Sequence, residues 1–276
     1  LIIRWVFASN KGKVKPGGKK IYLIFFINNV YIIHMRILIA SDVHGNLEAL
    51  EALFEEQFDY FVFLGDVCDY GPDPEPSLEI LKNTAHIFIL GNHDNANAYG
   101  VDCRCSEKIH DLSVATRKLT RKQLKKGDIA YLKTLYPALQ FTYGGIKFAA
   151  FHATPRDPLY GYIYPCDDEK EYEEQFKTKD LYFGSASIED VDFILVGHSH
   201  IQYLKSFKKK YILNPGSVGQ PRDGIPYAAY AIIEDGEVML KRKKYNIKKT
   251  LKKISSMPLE QKQILRLKRI LKNGKI

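Results

Sequence analysis

The strongest constraint on this chain is a repeated pairing: five apolar runs of four or five residues, each ending within two residues of a polar motif. The runs occupy 37–40, 60–64, 87–90, 146–150 and 193–196. They lead into Asp42-Val43-His44, Gly65-Asp66, Gly91-Asn92-His93-Asp94, Phe151-His152 and Gly197-His198-Ser199-His200. Runs this short, continuous and rich in β-branched and aromatic residues read as strands covered on both faces. An amphipathic helix is expected at 47–58, and strands separated by helices make an α/β architecture. Chemistry placed just after such strands gathers along one edge of a sheet.

The residue types at that edge point to metal ions. Divalent first-row ions accept imidazole nitrogen and carboxylate oxygen readily, and a carboxylate can bridge two ions where an imidazole cannot. Asp42, His44 and His200 can close around one ion, and Asn92, His152 and His198 around a second, with Asp66 as the bridge. Two ions about 3.5–4 Å apart would share a water, lower its pKa toward about 7 and neutralise a bound phosphate. The expected chemistry is in-line attack of that shared hydroxide on phosphorus. Any one of these histidines alone reads better as an ordinary buried or surface residue; five motifs in order do not.

These motifs closely resemble the calcineurin-like metallophosphoesterase superfamily, whose pattern is D-x-H, G-D, G-N-H-D/E, H and G-H-x-H. The resemblance runs from about Met35 to Tyr245. It implies metal ligation by Asp42, His44, Asp66, Asn92, His152, His198 and His200. It also implies a non-ligand His93 that protonates the leaving oxygen or steadies the phosphoryl charge, with Asp94 holding its ring. The implied fold is a four-layer α/β/β/α sandwich of two mixed sheets. Strands at 202–207, 211–213, 227–234 and 238–245 are expected to build an antiparallel second half, and 95–137 to form a helical cap insertion, with 111–125 as its main helix. The implied cofactors are two divalent ions, Mn2+ first, with Fe, Ni2+, Zn2+ or Mg2+ as alternatives.

Departures narrow the resemblance. The protein Ser/Thr phosphatases of this superfamily carry G-D-x-V-D-R-G, whereas this chain has Tyr70 in place of the phosphate-gripping Arg and Asp94 in place of Glu. That disfavours a protein substrate. The loops at 71–74, 152–159 and 214–222 resemble the small single-domain phosphoesterases of bacteria and archaea. The expected function is hydrolysis of a small or nucleotide-like phosphoester by a cytoplasmic enzyme. The rivals are a non-catalytic scaffold, as a retromer subunit of this superfamily is, and a nuclease. Every ligand position is filled, which argues against an eroded site.

Three further residues are expected to meet substrate. Asn46, at the start of the 47–58 helix, can either turn its amide toward a phosphate or simply cap the helix. Arg156 and Arg222 sit in loops near ligand-bearing segments and can grip phosphate bidentately, or remain solvated. Tyr99, Tyr160, Tyr162 and Tyr164 can stack on a planar leaving group or pack a loop onto the core. The four cysteines lack C-x-x-C spacing, and Cys103 and Cys105 are too close in sequence to bridge comfortably. Free thiols are the expectation; a bridge from either to Cys68 or Cys166 would pin the cap.

The net charge of +9 is not the charge of the catalytic region. Residues 1–34 carry +6 and residues 246–276 carry +9, which leaves 35–245 at −6. The basic composition therefore says nothing for nucleic acid at the active edge. Residues 1–34 read as a non-native or dispensable extension before Met35, the alternative being a membrane anchor or signal; their apolar stretch at 21–33 contains Asn28 and Asn29 and is too short to span a bilayer. Residues 246–276 read as two short basic amphipathic helices broken near Pro258. Their Leu and Ile stripe is expected to dock on the enzyme or a sister subunit, the alternative being nucleic acid or an anionic surface.

Overall fold

The computed structural model describes residues 35–177 and 188–276. The extension at 1–34 lies outside these described residues. No helix among them is long and apolar enough to cross a membrane.

The chain opens with β1 (Arg36–Ala40), α1 (Leu47–Leu53), β2 (Tyr60–Phe63), α2 (Pro74–Thr84) and β3 (Ile87–Phe88). It continues through α3 (Asn92–Tyr99), α4 (Glu107–Gln123), α5 (Lys126–Leu132), β4 (Ala138–Tyr143), β5 (Ile146–Phe151) and α6 (Glu169–Gln175). Then come β6 (Phe193–Leu195), β7 (Gln202–Phe207), β8 (Lys210–Pro215), β9 (Ala228–Glu234) and β10 (Glu237–Lys243), and finally α7 (Ile247–Ser255) and α8 (Gln261–Asn273).

Two five-stranded mixed sheets result, in the orders β10-β9-β1-β2-β3 and β4-β5-β6-β8-β7. The strands expected to form an antiparallel second half instead divide between the sheets. β7 and β8 join the second sheet, where β8 runs parallel to β6, while β9 and β10 join the first, where β9 runs antiparallel to β1. The burial of β9 explains its place. All but the last of its seven residues are buried, so both faces must be covered, and only an interior strand between two layers meets that demand.

The period of two along β1 is the organising device. Ile37 and Ile39 face the second sheet, packing in one cluster with Phe148, Ala150, Phe193 and Leu195. Leu38 and Ala40 face the opposite way, toward Leu50 and Leu53 of α1. On the outer face of the second sheet, Phe151, Ile194 and Ile212 pack against Tyr172 of α6. The result is four layers, helix on sheet on sheet on helix.

Three elements differ from expectation. The helix at 47–58 stops at Leu53, because the chain must reverse to enter β2; Phe54 and Phe58 fold back onto Phe61 instead. β3 ends at Phe88, two residues early, since Leu90 donates its N–H out of the sheet to the Tyr136 carbonyl at 2.8 Å. β4 was not anticipated at all. It is an edge strand with a mostly exposed outer face, tied to β5 by a turn through Gly144 and Gly145, both with positive φ.

The basic tail docks on this same chain. Ile254, Ile264, Leu267, Ile270 and Leu271 are buried against Tyr70 of the β2 to α2 loop and Ile109 and Leu112 of α4. Glu48 of α1 accepts from Thr250 Oγ1 at 2.8 Å and pairs with Lys253 at 2.6 Å, which fixes the seat of α7. The tail thus buttresses the loop that carries Asp69 and Tyr70. Leu267→Ala should cost about 2–5 kcal/mol, the usual range for a buried large-to-small change. Urea unfolding of the variant checks this; a midpoint equal to wild type would mean the stripe contributes nothing.

A candidate metal centre at the shared sheet edge

The polar motifs after β1, β2, β3, β5 and β6 converge where the expected sheet edge lies. Asp42, His44, Asp66, His198 and His200 all adopt positive φ, between 47° and 63°. Residues other than glycine rarely do so, and the cost is of order 1–3 kcal/mol each. The left-handed turns swing these side chains off the strand direction and into one buried space. Two glycines make room for them. A Cβ on Gly91 would sit 2.0 Å from Asp66 Oδ1, and one on Gly197 would sit 2.2 Å from Ser41 Oγ.

Each carboxylate spends one oxygen on backbone and offers the other. Asp42 Oδ2 accepts the His198 N–H at 3.2 Å, and Oδ1 is buried with no hydrogen-bond partner. Asp66 Oδ1 accepts the His93 N–H at 2.8 Å, while Oδ2 lies 3.8 Å from His44 Nε2 and 3.4 Å from His152 Nε2. The imidazoles follow the same rule. Nδ1 of His44, His152 and His200 donates to the carbonyls of Cys68, Leu64 and Gln220 at 2.7, 2.7 and 2.6 Å. Those bonds set the tautomer and leave the Nε2 lone pairs facing inward. The Asn92 amide donates to the Cys103 carbonyl at 2.7 Å, which points Oδ1 at His152 Nε2, 2.9 Å away.

The inward-facing atoms are therefore acceptors without donors. His44 Nε2 and His200 Nε2 are 3.3 Å apart, His200 Nε2 and Asp42 Oδ1 3.2 Å, and His198 Nε2 is buried and unpartnered. Lone pairs crowded this closely repel unless a cation lies among them. The ligand atoms fall into two trios, Asp42 with His44 and His200, and Asp66 with His152 and His198, each within 4.8 Å. This donor set fits a pair of divalent ions. Asp66 Oδ2 approaches both a histidine of its own trio and one of the other, as a bridging ligand would.

The electrostatics suit ligation at all but one of the shifted ligands, His152. Burial opposes ionisation of Asp66, yet the surrounding histidines, His152 and His93 foremost, hold its carboxyl well below the usual range. Asp42 is likewise held low against its burial, chiefly by His200. Burial lowers His44, His198 and His200, which favours the neutral imidazoles that ligation requires; at His152 burial acts the same way but the Asp66 charge outweighs it and raises the ring to about 9, so a cation binding there must displace its proton.

His93 lies beside this set, and its partner corrects an expectation. Its Nδ1 pairs with Asp69 Oδ2 at 2.8 Å, not with Asp94. Asp94 instead clamps the loop after β2, accepting the N–H groups of Asp66 at 2.8 Å, Val67 at 3.0 Å and Cys68 at 3.1 Å. Asp94 follows His93 on one helix, about 100° around the axis, so the two side chains cannot face each other. Asp69 is gripped in turn by Asn97 at 2.8 Å and by Arg117 of α4 at 3.2 Å. Burial would lower the His93 imidazolium, but the Asp66 charge and the Asp69 hydrogen bond raise it to about 9.

The three substrate candidates part company here. Asn46 is withdrawn: Nδ2 donates to the Gly219 carbonyl at 2.9 Å and the Tyr245 hydroxyl at 3.1 Å, and Oδ1 accepts from Ala49 N–H and Thr250 Oγ1. Its amide is fully used as an N-cap and as an anchor for the tail. Arg156 is paired with Glu174 of α6, so its guanidinium is already committed. Arg222 remains. Its Nη2 donates to Gln220 Oε1 at 2.9 Å, its Nε–H is buried without a partner, and its charge acts on His200.

Among the tyrosines, Tyr162 lies 4.2 Å from the His198 ring and stacks on Tyr164. Tyr160 is hydrogen-bonded to Asn95 and covered by Arg104, and Tyr99 turns away to Lys133. All four cysteines are free thiols, with Cys103 and Cys105 in contact at 3.0 Å. Sequence reasoning missed Asp69, Asn97 and Arg117. A signal for Asp69 stood in Gly65-Asp66-Val67-Cys68-Asp69, where a second acid follows the bridge; nothing in the sequence marked the other two. A cleft of about 660 Å³ lies apart from this centre between α4 and α7, and Lys253 on its wall is paired with Glu48 and Asp73.

Comparison with known proteins agrees with this geometry. The family model described as calcineurin-like phosphoesterase superfamily domain matches residues 35–236. An uncharacterized protein of Methanocaldococcus jannaschii is 32% identical, over 79% of this chain and 91% of its own length. Among solved structures, a metallophosphoesterase from Sphaerobacter thermophilus is 29% identical with a TM-score of 0.68, covering 88% of this chain and 100% of that one. A hypothetical protein from Pyrococcus horikoshii, 21% identical, shares the fold with a TM-score of 0.73 and the same coverage of both chains.

Proposed function

The chain belongs to the calcineurin-like phosphoesterase superfamily, and from that premise we propose that it hydrolyses a small or nucleotide-like phosphoester with two divalent ions, Mn2+ foremost. The observation that carries this reading is the convergence of buried acceptors, with Asp42 Oδ1 and His198 Nε2 lacking any donor. Asp42, His44 and His200 would hold one ion, Asn92, His152 and His198 the other, and Asp66 both. Ions held there supply Lewis acidity toward a phosphoryl group and acidify a nearby water.

The chain's own residues do the rest. Asp66 brings negative charge between the two ligand sets, kept ionised by its neighbours. His93, protonated at neutral pH and oriented through Nδ1 by Asp69, offers Nε2–H to the departing oxygen. Arg222 directs its unspent Nε–H toward a phosphate oxygen, and the Tyr162 face beside His198 accepts a planar leaving group. The filled ligand set speaks against a scaffold role. A tail whose apolar stripe is buried on its own chain lends no support to the nuclease reading. Screening Mn2+-reconstituted protein against phosphomonoesters, diesters and dinucleotides tests the proposal; no turnover of any of them would sink it.

Asp69 is a positioning residue with its own test. Asp69→Asn removes the charge that supports the His93 imidazolium, so the His93 pKa falls. Since the protonated form is the active one, the alkaline limb of kcat should move to lower pH, with the paired ions of the Asp66 centre still bound. A variant with the wild-type pH profile would assign Asp69 a purely structural part.

A further inference from the structure

Beside the nitrogen and oxygen centre lies a second cluster that the phosphoesterase reading does not use. The ligand atoms of His93, Cys103 and Cys105 all lie within 4.8 Å of one another. The two thiols face the same way because Arg104 between them has φ of +50°, a left-handed turn that folds Cys-Arg-Cys back on itself. Their sulfurs are 3.0 Å apart, and Ser113 Oγ lies 3.3 Å from each. Cys103 is fully buried and Cys105 partly so, so the cluster is reached from solvent on the Cys105 side.

The third member has one ring nitrogen to offer. His93 Nδ1 is taken by Asp69, so Nε2 is the free ring nitrogen. A histidine whose other nitrogen donates to a carboxylate is the usual arrangement around zinc, where the carboxylate fixes the ring and raises its basicity. Two thiolates and one imidazole form a set that zinc takes with a fourth position open, and sulfur ligation selects soft ions over the harder ions suited to nitrogen and oxygen. The guanidinium of Arg117, which reaches both Asp69 and Cys103, balances part of the negative charge that two thiolates would bring.

We propose that His93, Cys103 and Cys105 form a separate zinc site, chemically distinct from the paired-ion centre through its sulfur ligands. Zinc there binds His93 Nε2 and so removes that nitrogen from leaving-group chemistry. On the phosphoesterase reading the site is inhibitory, and excess zinc silences an enzyme whose other two ions are harder.

Co2+ is the probe, because thiolate ligation produces a sulfur-to-cobalt charge-transfer absorption that nitrogen and oxygen ligands do not. The full-length protein, reduced and with its four thiols titrated as free, is first loaded with Mn2+ and then titrated with Co2+. The expected result is a charge-transfer band that saturates at one equivalent and is abolished by Zn2+. Cys105→Ser should lose the band, Cys68→Ser and Cys166→Ser should keep it, and Asp69→Asn should weaken Co2+ binding by about 10–100-fold, as removal of a carboxylate behind a ligating histidine does. Absence of the band in the reduced wild type, or its full persistence in Cys105→Ser, would overturn the site. This readout needs no turnover, so failure of the phosphoesterase reading leaves it intact; where turnover is found, Zn2+ inhibition should be relieved in Cys105→Ser.

Discussion

Asp66→Asn should lose hydrolysis by at least about 10³-fold, the scale of removing a principal electrostatic stabiliser of the transition state. The reason is local. Asp66 Oδ2 is the oxygen that faces both His44 and His152, and its negative charge lies between the two ligand trios. The amide removes that charge and turns an N–H donor toward imidazole nitrogens that are waiting for a cation. Metal content should fall from about two ions per chain, since among the described residues Asp66 is the carboxylate that faces a histidine of each trio. The fold should survive, because Asn Oδ1 can still accept the His93 N–H that Asp66 Oδ1 accepts now. Metal analysis, calorimetry and turnover on one preparation check all three parts. A variant that keeps two ions and wild-type turnover would remove Asp66 from the bridging position.

His93→Ala should leave both ions bound and lower kcat by about 10²–10⁴ on esters with poor leaving groups. His93 hydrogen-bonds to the bridging carboxylate through its backbone N–H, which the alanine retains, while its ring, edge-on to His44 at 5.0 Å, is held outside the ligand trios by Asp69. An aryl ester whose leaving group needs no proton should lose much less. Asp69 keeps Asn97 and Arg117 as partners, so the variant should fold normally. Equal losses on the two esters would mean that His93 steadies phosphoryl charge rather than delivering a proton.

The two variants also mark how far the sequence could be read. Most of the strands that carry the motifs were legible because both their faces are buried, as in β1, β2 and β6, so they are written as continuous apolar runs. β4 was not, because an edge strand with an exposed face has little of that signal. The ligand set was legible because its residue types are chemically restricted and their order along the chain is simple. The partner of His93 was misread because adjacency in sequence is not adjacency on a helix, and the true partner, Asp69, lies on another loop in a left-handed conformation. Asn46 was ambiguous between a cap and a phosphate donor. Only its four hydrogen-bond partners, three of them from distant segments at Gly219, Tyr245 and Thr250, decide that it is a cap.

By itself, then, the amino-acid sequence determined what could be ligated and in which layers the chain would be built, because hydrophobic period and ligand chemistry are properties of single segments. Tertiary structure alone decided which carboxylate holds His93, that β9 rather than a nearer strand completes the first sheet beside β1, and that the tail braces the Asp69 loop. It also brought Cys103 and Cys105 against His93. Each of these depends on where a turn sends a side chain in space, and the cost of such a turn is recovered only from contacts with residues far away along the chain.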